Sequence, residues 1–290
     1  MNVGVGHVLE KYSLNTQRPA SLKDLPPYRP VVRKLMQVTA RENVPLSRLQ
    51  EILRTDAAFT ADVLRLANSP LIGMRNVVSS VLHAVMILGL ERIKGLAATL
   101  ALRSFLTPGG MNDAMRECWR HNLATAIICE KLARFVKIDS DIAYTAGLLH
   151  DIGRLALLRA SPEMYAGLVA TNRDPATLLD AEQSLFEIDH CEAGRWILEE
   201  WEFPLELCDV VYRHHTRPDA RTPDLCRVVY VGWQIADQLG FSATGCPVKQ
   251  ELQAIVSFLP GDAGAKLLQK YDGLAEEVAF KINAVECSLL

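Results

Sequence analysis

The sequence predicts an all-α chain, a multi-helix domain with an N-terminal helical subdomain, and three observations carry that prediction. Apolar residues recur at helical spacing almost everywhere, strand-like alternation between hairpin turns is essentially absent, and capping residues stand ahead of successive apolar-periodic segments. At 290 residues, about half of them apolar, the chain can bury a substantial core in one or two domains.

The elements follow in order. After an N-terminal segment, 1–20, the stretch Arg48 to Arg54 carries Leu49, Ile52 and Leu53 on one stripe. Ala57 to Ala67 carries Phe59, Val63, Leu64 and Ala67, and Asn68-Ser69-Pro70 stops that helix with side chains that bond neighbouring backbone. Ser80 caps a segment that runs to Leu88 before Gly89; another runs from Glu91 to Leu106. Pro108-Gly109-Gly110 is the clearest internal break and separates an N-terminal helical half, 21–110, from a second half, 111–245. There a long helix spans Asp113 to Val136. Ser140 caps the next, whose body Ile142 to Leu149 is apolar nearly all round and so buried, with Gly153 suited to a left-handed end. Asp174-Pro175 opens a further helix, and Asp189 with Glu192 has capping-box spacing that leaves His190 in a first turn. Pro204 begins a helix ending at His214-His215, and Asp224 to Leu239 precedes a stop at Gly240. The extension 246–290 holds two helical patterns, Lys249 to Phe258 and Ala265 to Ile282, separated by Pro260-Gly261. Trp119, Trp196, Trp201 and Trp233 read as core packing.

Composition removes several functions. A net charge of -3 with interspersed signs argues against electrostatic nucleic-acid binding and against a disordered tail. The longest apolar stretches, Val77 to Leu90 and Ile93 to Leu106, are cut by His83, Lys94 and Arg103 before the roughly 18 residues of a membrane span. The N-terminus lacks a basic segment followed by an apolar run, so no signal peptide and a cytoplasmic location are expected. Seven cysteines without a CxxC pair fit neither a disulfide framework nor a zinc ribbon; Cys118, Cys129, Cys208 and Cys226 read as small buried hydrophobes. Cys191 follows His190 directly, but adjacent helical residues point about 100° apart and are not expected to share a metal.

The chemistry-bearing feature is an ordered set of donors on helices, most near an end: His121, His150-Asp151, His190, His214-His215 and Asp237. Imidazole and carboxylate without thiolate suit a divalent metal such as iron, manganese, zinc or magnesium, and Asp151 can bridge two ions. Ions about 3.5 to 4 Å apart can activate a water and clamp a phosphoryl oxygen. On that reading His121, His150, Asp151 and Asp237 hold a first ion, while His190, His214 and a nitrogen of His215 hold a second; a mononuclear site is the alternative. Each residue also has a plainer reading: His121 as a satisfied core or surface histidine, His150-Asp151 as a hydrogen-bonded pair capping neighbouring helices, His190 as a first-turn residue, His214-His215 as complements to a helix C-terminus, Asp237 as a surface carboxylate. Arg154 either binds a phosphate or pairs with Asp151.

The string Gly147-Leu148-Leu149-His150-Asp151-Ile152-Gly153-Arg154, preceded by His121 and followed by Asp237, resembles the HD superfamily of metal-dependent phosphohydrolases. Asp56 with Leu64-Arg65-Leu66-Ala67-Asn68-Ser69-Pro70, then Ala84 to Leu88-Gly89, narrows the resemblance to the HDOD family, the HD-related output domain of bacterial signalling proteins. His190 with Ala193-Gly194, Trp201, Pro204 and His214-His215 fits it too. The resemblance covers about residues 20 to 240 and implies an HD-like helical domain used for regulation, commonly without hydrolytic activity because metal ligands have been lost. This chain keeps histidine or aspartate at every ligand-like position. Arg154 stands where the related HD-GYP enzymes have lysine, and Thr216-Arg217-Pro218-Asp219 stands where their Gly-Tyr-Pro signature is expected, so cyclic-dinucleotide hydrolysis is not. Two functions are carried forward. The first is a regulatory module that binds other signalling proteins or a small nucleotide or phosphate ligand. The second is a metal-dependent phosphohydrolase in which Asp151 and Arg154 act in catalysis.

Overall fold

A computed structural model describes residues 22, 30–39, 45–74, 77–106, 110–172, 174–244 and 250–288. Among them the regular elements are helices alone, in the order α1 Pro30–Thr39, α2 Leu46–Arg54, α3 Ala57–Ala67, α4 Val81–Leu88, α5 Leu90–Leu106, α6 Asp113–Val136, α7 Ser140–Leu149, α8 Ile152–Ala160, α9 Pro162–Thr171, α10 Pro175–Phe186, α11 His190–Glu200, α12 Leu205–Arg213, α13 Asp224–Gln238, α14 Leu252–Val256, α15 Ala263–Leu268 and α16 Leu274–Ser288. The expected segment 1–20 and the break at Pro108-Gly109 lie outside the described residues. None of the described helices is long and apolar enough to cross a membrane.

Local chemistry starts and stops these helices. Asp56 accepts from Phe59 N at 2.9 Å, Ser80 from His83 N at 3.1 Å and Asn112 from Met115 N at 2.8 Å, each satisfying a first-turn donor. Asp189 accepts from Glu192 N at 2.8 Å, the forward half of the capping box. Asn68 clamps its stop: its amide donates to Leu64 O and Val78 O and accepts from Val78 N. Three expectations are corrected. Asp139, not Ser140, caps α7, because its extended backbone lets the carboxylate reach both Asp141 N and Ile142 N. Gly153 lies inside α8 rather than at a left-handed end. The last helical pattern is divided into α15 and α16 by Gly273, whose φ of 78° breaks the helix.

The core sits around α6, which packs between α7 and α13, with α8 against α11 and α5 against α7. Phe105 of α5 meets Trp201, just past α11, edge to face at 5.8 Å between ring centroids, so the N-terminal half closes against the second. At the far end of the chain α16 packs on both α6 and α3, and Arg120–Glu286 and Lys131–Glu277 pair across its contact with α6.

Gly153 has a steric reason to be glycine. A Cβ there would fall 1.9 Å from His190 O, and one on Gly194 would fall 2.5 Å from Val211 Cγ1. Close approach of α8, α11 and α12 depends on both. Gly153→Ala is expected to cost about 3 kcal/mol in urea unfolding, since backbone rather than a flexible side chain must move. A loss below roughly 0.5 kcal/mol would show that the helix starts yield easily.

Candidate metal centre

His150 closes α7 and Asp151 opens α8, so the two helices are joined through the dyad itself. An aspartate at a helix start normally accepts from the first-turn amides; the Asp151 side chain makes no such bond and turns inward instead. Its Oδ2 accepts from Arg154 Nε at 2.5 Å. Its Oδ1 lies 3.4 Å from His190 Nε2 and 3.5 Å from His214 Nε2 and has no hydrogen-bond partner.

The tautomers of the surrounding rings are fixed by what stands behind them. His121 Nδ1 lies 2.6 Å from Phe241 O, His150 Nδ1 2.7 Å from Gly147 O and His214 Nδ1 2.7 Å from Val211 O. A carbonyl only accepts, so each ring donates from Nδ1 and presents a bare Nε2 lone pair inward. His190 Nδ1 donates likewise to Glu182 Oε2 at 2.6 Å. This is the outer-layer arrangement that orients imidazole ligands toward a metal. His215 Nε2 lies 3.0 Å from His190 Nε2 and leaves Nδ1 unpartnered. Trp233 fixes the turn by donating to His214 O at 2.8 Å.

Burial pushes the His121 imidazole down to about 4 and those of His150, His214 and His215 down as well, which keeps them neutral and able to ligate. Burial, the largest single effect, would raise the Asp151 carboxyl, but the Arg154 guanidinium together with His214, His190 and His150 outweighs it and holds the group well below the usual carboxylate range. Glu182 is lowered by the same contest, with His190 its main partner.

The donors fall into two groups, His121-His150-Asp151 and His190-Cys191-His214-His215, within each of which one ligand atom per residue lies within 4.8 Å of the others. Asp237 is not among them. Its Oδ1 stands 3.3 Å from His121 Nδ1, on the ring edge facing away from the other donors, and burial raises its carboxyl to about 8. Cys191 touches the Nδ1 side of His214 at 3.9 Å, and burial pushes its thiol well up, so it offers neither a thiolate nor the inward face. Arg154 points inward, paired with Asp151. Sequence reading overlooked two members: Glu182, wholly buried, takes His190 N at 2.9 Å as well as Nδ1, and Tyr165 donates its hydroxyl to Glu182 Oε1. One signal was available, since Glu182 falls one turn after the buried Leu178 on the same face of α10.

The residues fit a divalent metal. His121 Nε2 and His150 Nε2 face each other at 3.2 Å with both protons on the far side. Two lone pairs in that position repel unless a cation lies beside them, and nitrogens about 2.1 Å from one ion would stand roughly 3 to 3.4 Å apart. Asp151 Oδ1, buried without a partner, offers a third donor within reach of both.

An all-helical scaffold whose core closes over a His/Asp centre defines an HD-like helical domain. The HDOD domain model matches residues 25–217, and the chain belongs to the HDOD family. It superposes on a candidate phosphohydrolase from Shewanella amazonensis SB2B with a TM-score of 0.71 at 24% identity, over 94% of this chain and 99% of that one. An HDOD domain protein of unknown function from Geobacter sulfurreducens gives 0.68 at 23% identity, covering 89% and 93%. A candidate signal transduction protein from Marinobacter aquaeolei VT8 gives 0.71 at 22%, covering 92% of this chain but 60% of its own. An uncharacterized protein of Treponema pallidum (strain Nichols) is 26% identical over 204 residues; they are 69% of this chain, which spans only 39% of that relative. Asp237 lies beyond the residues matched by the family model.

The histidines dictate an acid response in the metal-free protein. An unfolded imidazole takes up its proton near pH 6.5, whereas folded His121 does so only near 4. Between those values the unfolded state binds more protons, so stability falls as pH drops from about 6.5 to 4, by up to about 1.4 kcal/mol per pH unit for His121. His150, His214 and His215 add in the same direction and carry the decline; Asp237, raised to about 8, and the half-buried Asp141 and Glu192, also raised by burial, oppose them. Urea melts of chelator-treated protein at pH 7, 6 and 5 should show the decline, and a flat profile would contradict it.

Proposed function

We propose that this HDOD protein is a regulatory module of signal transduction whose HD-like centre holds a divalent metal as part of its folded framework and does not turn over a phosphate ester. One observation carries the reading: His121, His150, Asp151, Arg154, His190 and His214 are each 3% exposed or less. A substrate phosphate needs a concave, open approach to the reacting centre, and among the histidines of the set only His215 is half-buried rather than buried. A bound ion would supply Lewis acidity. His121, His150 and Asp151 would hold it, and the carbonyls of Phe241 and Gly147 keep the two rings in the ligating tautomer. Partner binding is assigned to the N-terminal half, where the apolar side chains of Val77, Met86 and Ile87 stand in solvent, supporting engagement of other signalling proteins.

A metal-dependent phosphohydrolase is the second reading, and the retained donor set favours it. Protein purified without chelator is expected to carry a divalent metal that Asp151→Ala loses, with a melting temperature lowered by roughly 5 to 10 °C. Neither protein should hydrolyse nucleotides or phosphate esters. Turnover by the wild type that vanishes in Asp151→Ala would replace the regulatory reading with the enzymatic one, and wild type without metal would remove the ion from both.

A further inference from the structure

Donors enough for two ions surround Asp151, yet a cation already stands among them. Arg154 is buried, with Nε 2.5 Å from Asp151 Oδ2 and Nη2 3.2 Å from His190 Nε2. A metal ion bonded to those same two atoms would have to share their space with the guanidinium. We propose that Arg154 is a built-in cation that replaces the second metal ion, so that the centre takes one ion, on the side of His121, His150 and Asp151 Oδ1.

The socket that holds Arg154 is closed. Nη1 donates to Tyr165 Oη at 3.3 Å, Tyr165 donates to Glu182 Oε1, and Glu182 Oε2 accepts from His190 Nδ1, whose ring returns its Nε2 lone pair to Arg154 Nη2. Every member is buried. The arginine is thus held on one side by Asp151 and on the other by a ring of three side chains, and its planar fork matches both. Charge agrees with geometry. Asp151 and Glu182 are the buried carboxylates flanking His190, and Arg154 supplies the positive charge they share. A dication at the same place would meet that charge at close range, whereas without the arginine two carboxylates and two bare imidazole nitrogens would face an uncompensated space. Asp151 is divided accordingly: Oδ2 serves the arginine, and Oδ1 is left unpartnered for the ion.

The inference rests on the reading of the centre as a metal site, and cobalt stoichiometry separates the two. Chelator-treated full-length protein is titrated with Co²⁺, followed by calorimetry and by the visible absorption of the bound ion, then desalted for metal analysis. Wild type is expected to bind one equivalent, Arg154→Gln two, and Arg154→Lys, which keeps a charge in the socket, one. Two equivalents in wild type, or one in a folded Arg154→Gln, would overturn the role of Arg154 and leave the metal site standing. No bound cobalt in any of the three would overturn both. The wild-type count is decisive by itself if it is two, so the test survives failure of Arg154→Gln to fold.

Discussion

Asp151 is a carboxylate removed from water, and everything around it compensates that removal. An unpaired buried charge costs several kcal/mol, so its position at the α7–α8 junction is tenable only because Arg154 arrives one helical turn later and two imidazoles stand near its other oxygen. Those neighbours come from α11 and from the turn after α12. They reach it only because Gly153 lets the start of α8 touch the backbone of α11, and Gly194 lets α11 touch α12. The glycines are therefore part of the electrostatics.

Much of this arrangement was legible in the sequence because it is local. Caps at Ser80 and Asp189, the stop at Asn68 and the helix ends at His150 and His214 depend on a few neighbouring residues, and they stand where spacing places them. What was not legible depends on how distant elements turn toward one another. His121 lies outside the richest apolar stripe of its helix yet is buried, because α13 and the chain at Phe241 close over that side. Asp237 follows the opposite logic: its type and order suit a ligand, but the close of α13 sets it behind the His121 ring. Glu182 and Tyr165 went unnoticed because neither belongs to a motif; only burial beside His190 gives them meaning.

The centre also joins the chemistry of a ligand set to that of a packed core. Neutral imidazoles locked by carbonyls are what a metal requires, and they are equally what a densely packed core tolerates, since each ring hides one donor and one acceptor. A buried arginine at the third position after the aspartate shifts the balance toward the core, because its charge is spent on Asp151 and its remaining donors are taken up by Tyr165 and His190.

Finally, α16 touches α3 and α6 at once, and Arg65 Nη1 reaches Ser288 O at 3.4 Å near its end. The last helix thus works as a strut between the Asn68 turn and the helix that carries His121. The strut therefore puts the Asn68 turn and the buried donor cluster on one continuous run of helix contacts, from α3 through α16 and α6 to the ring whose lone pair faces His150.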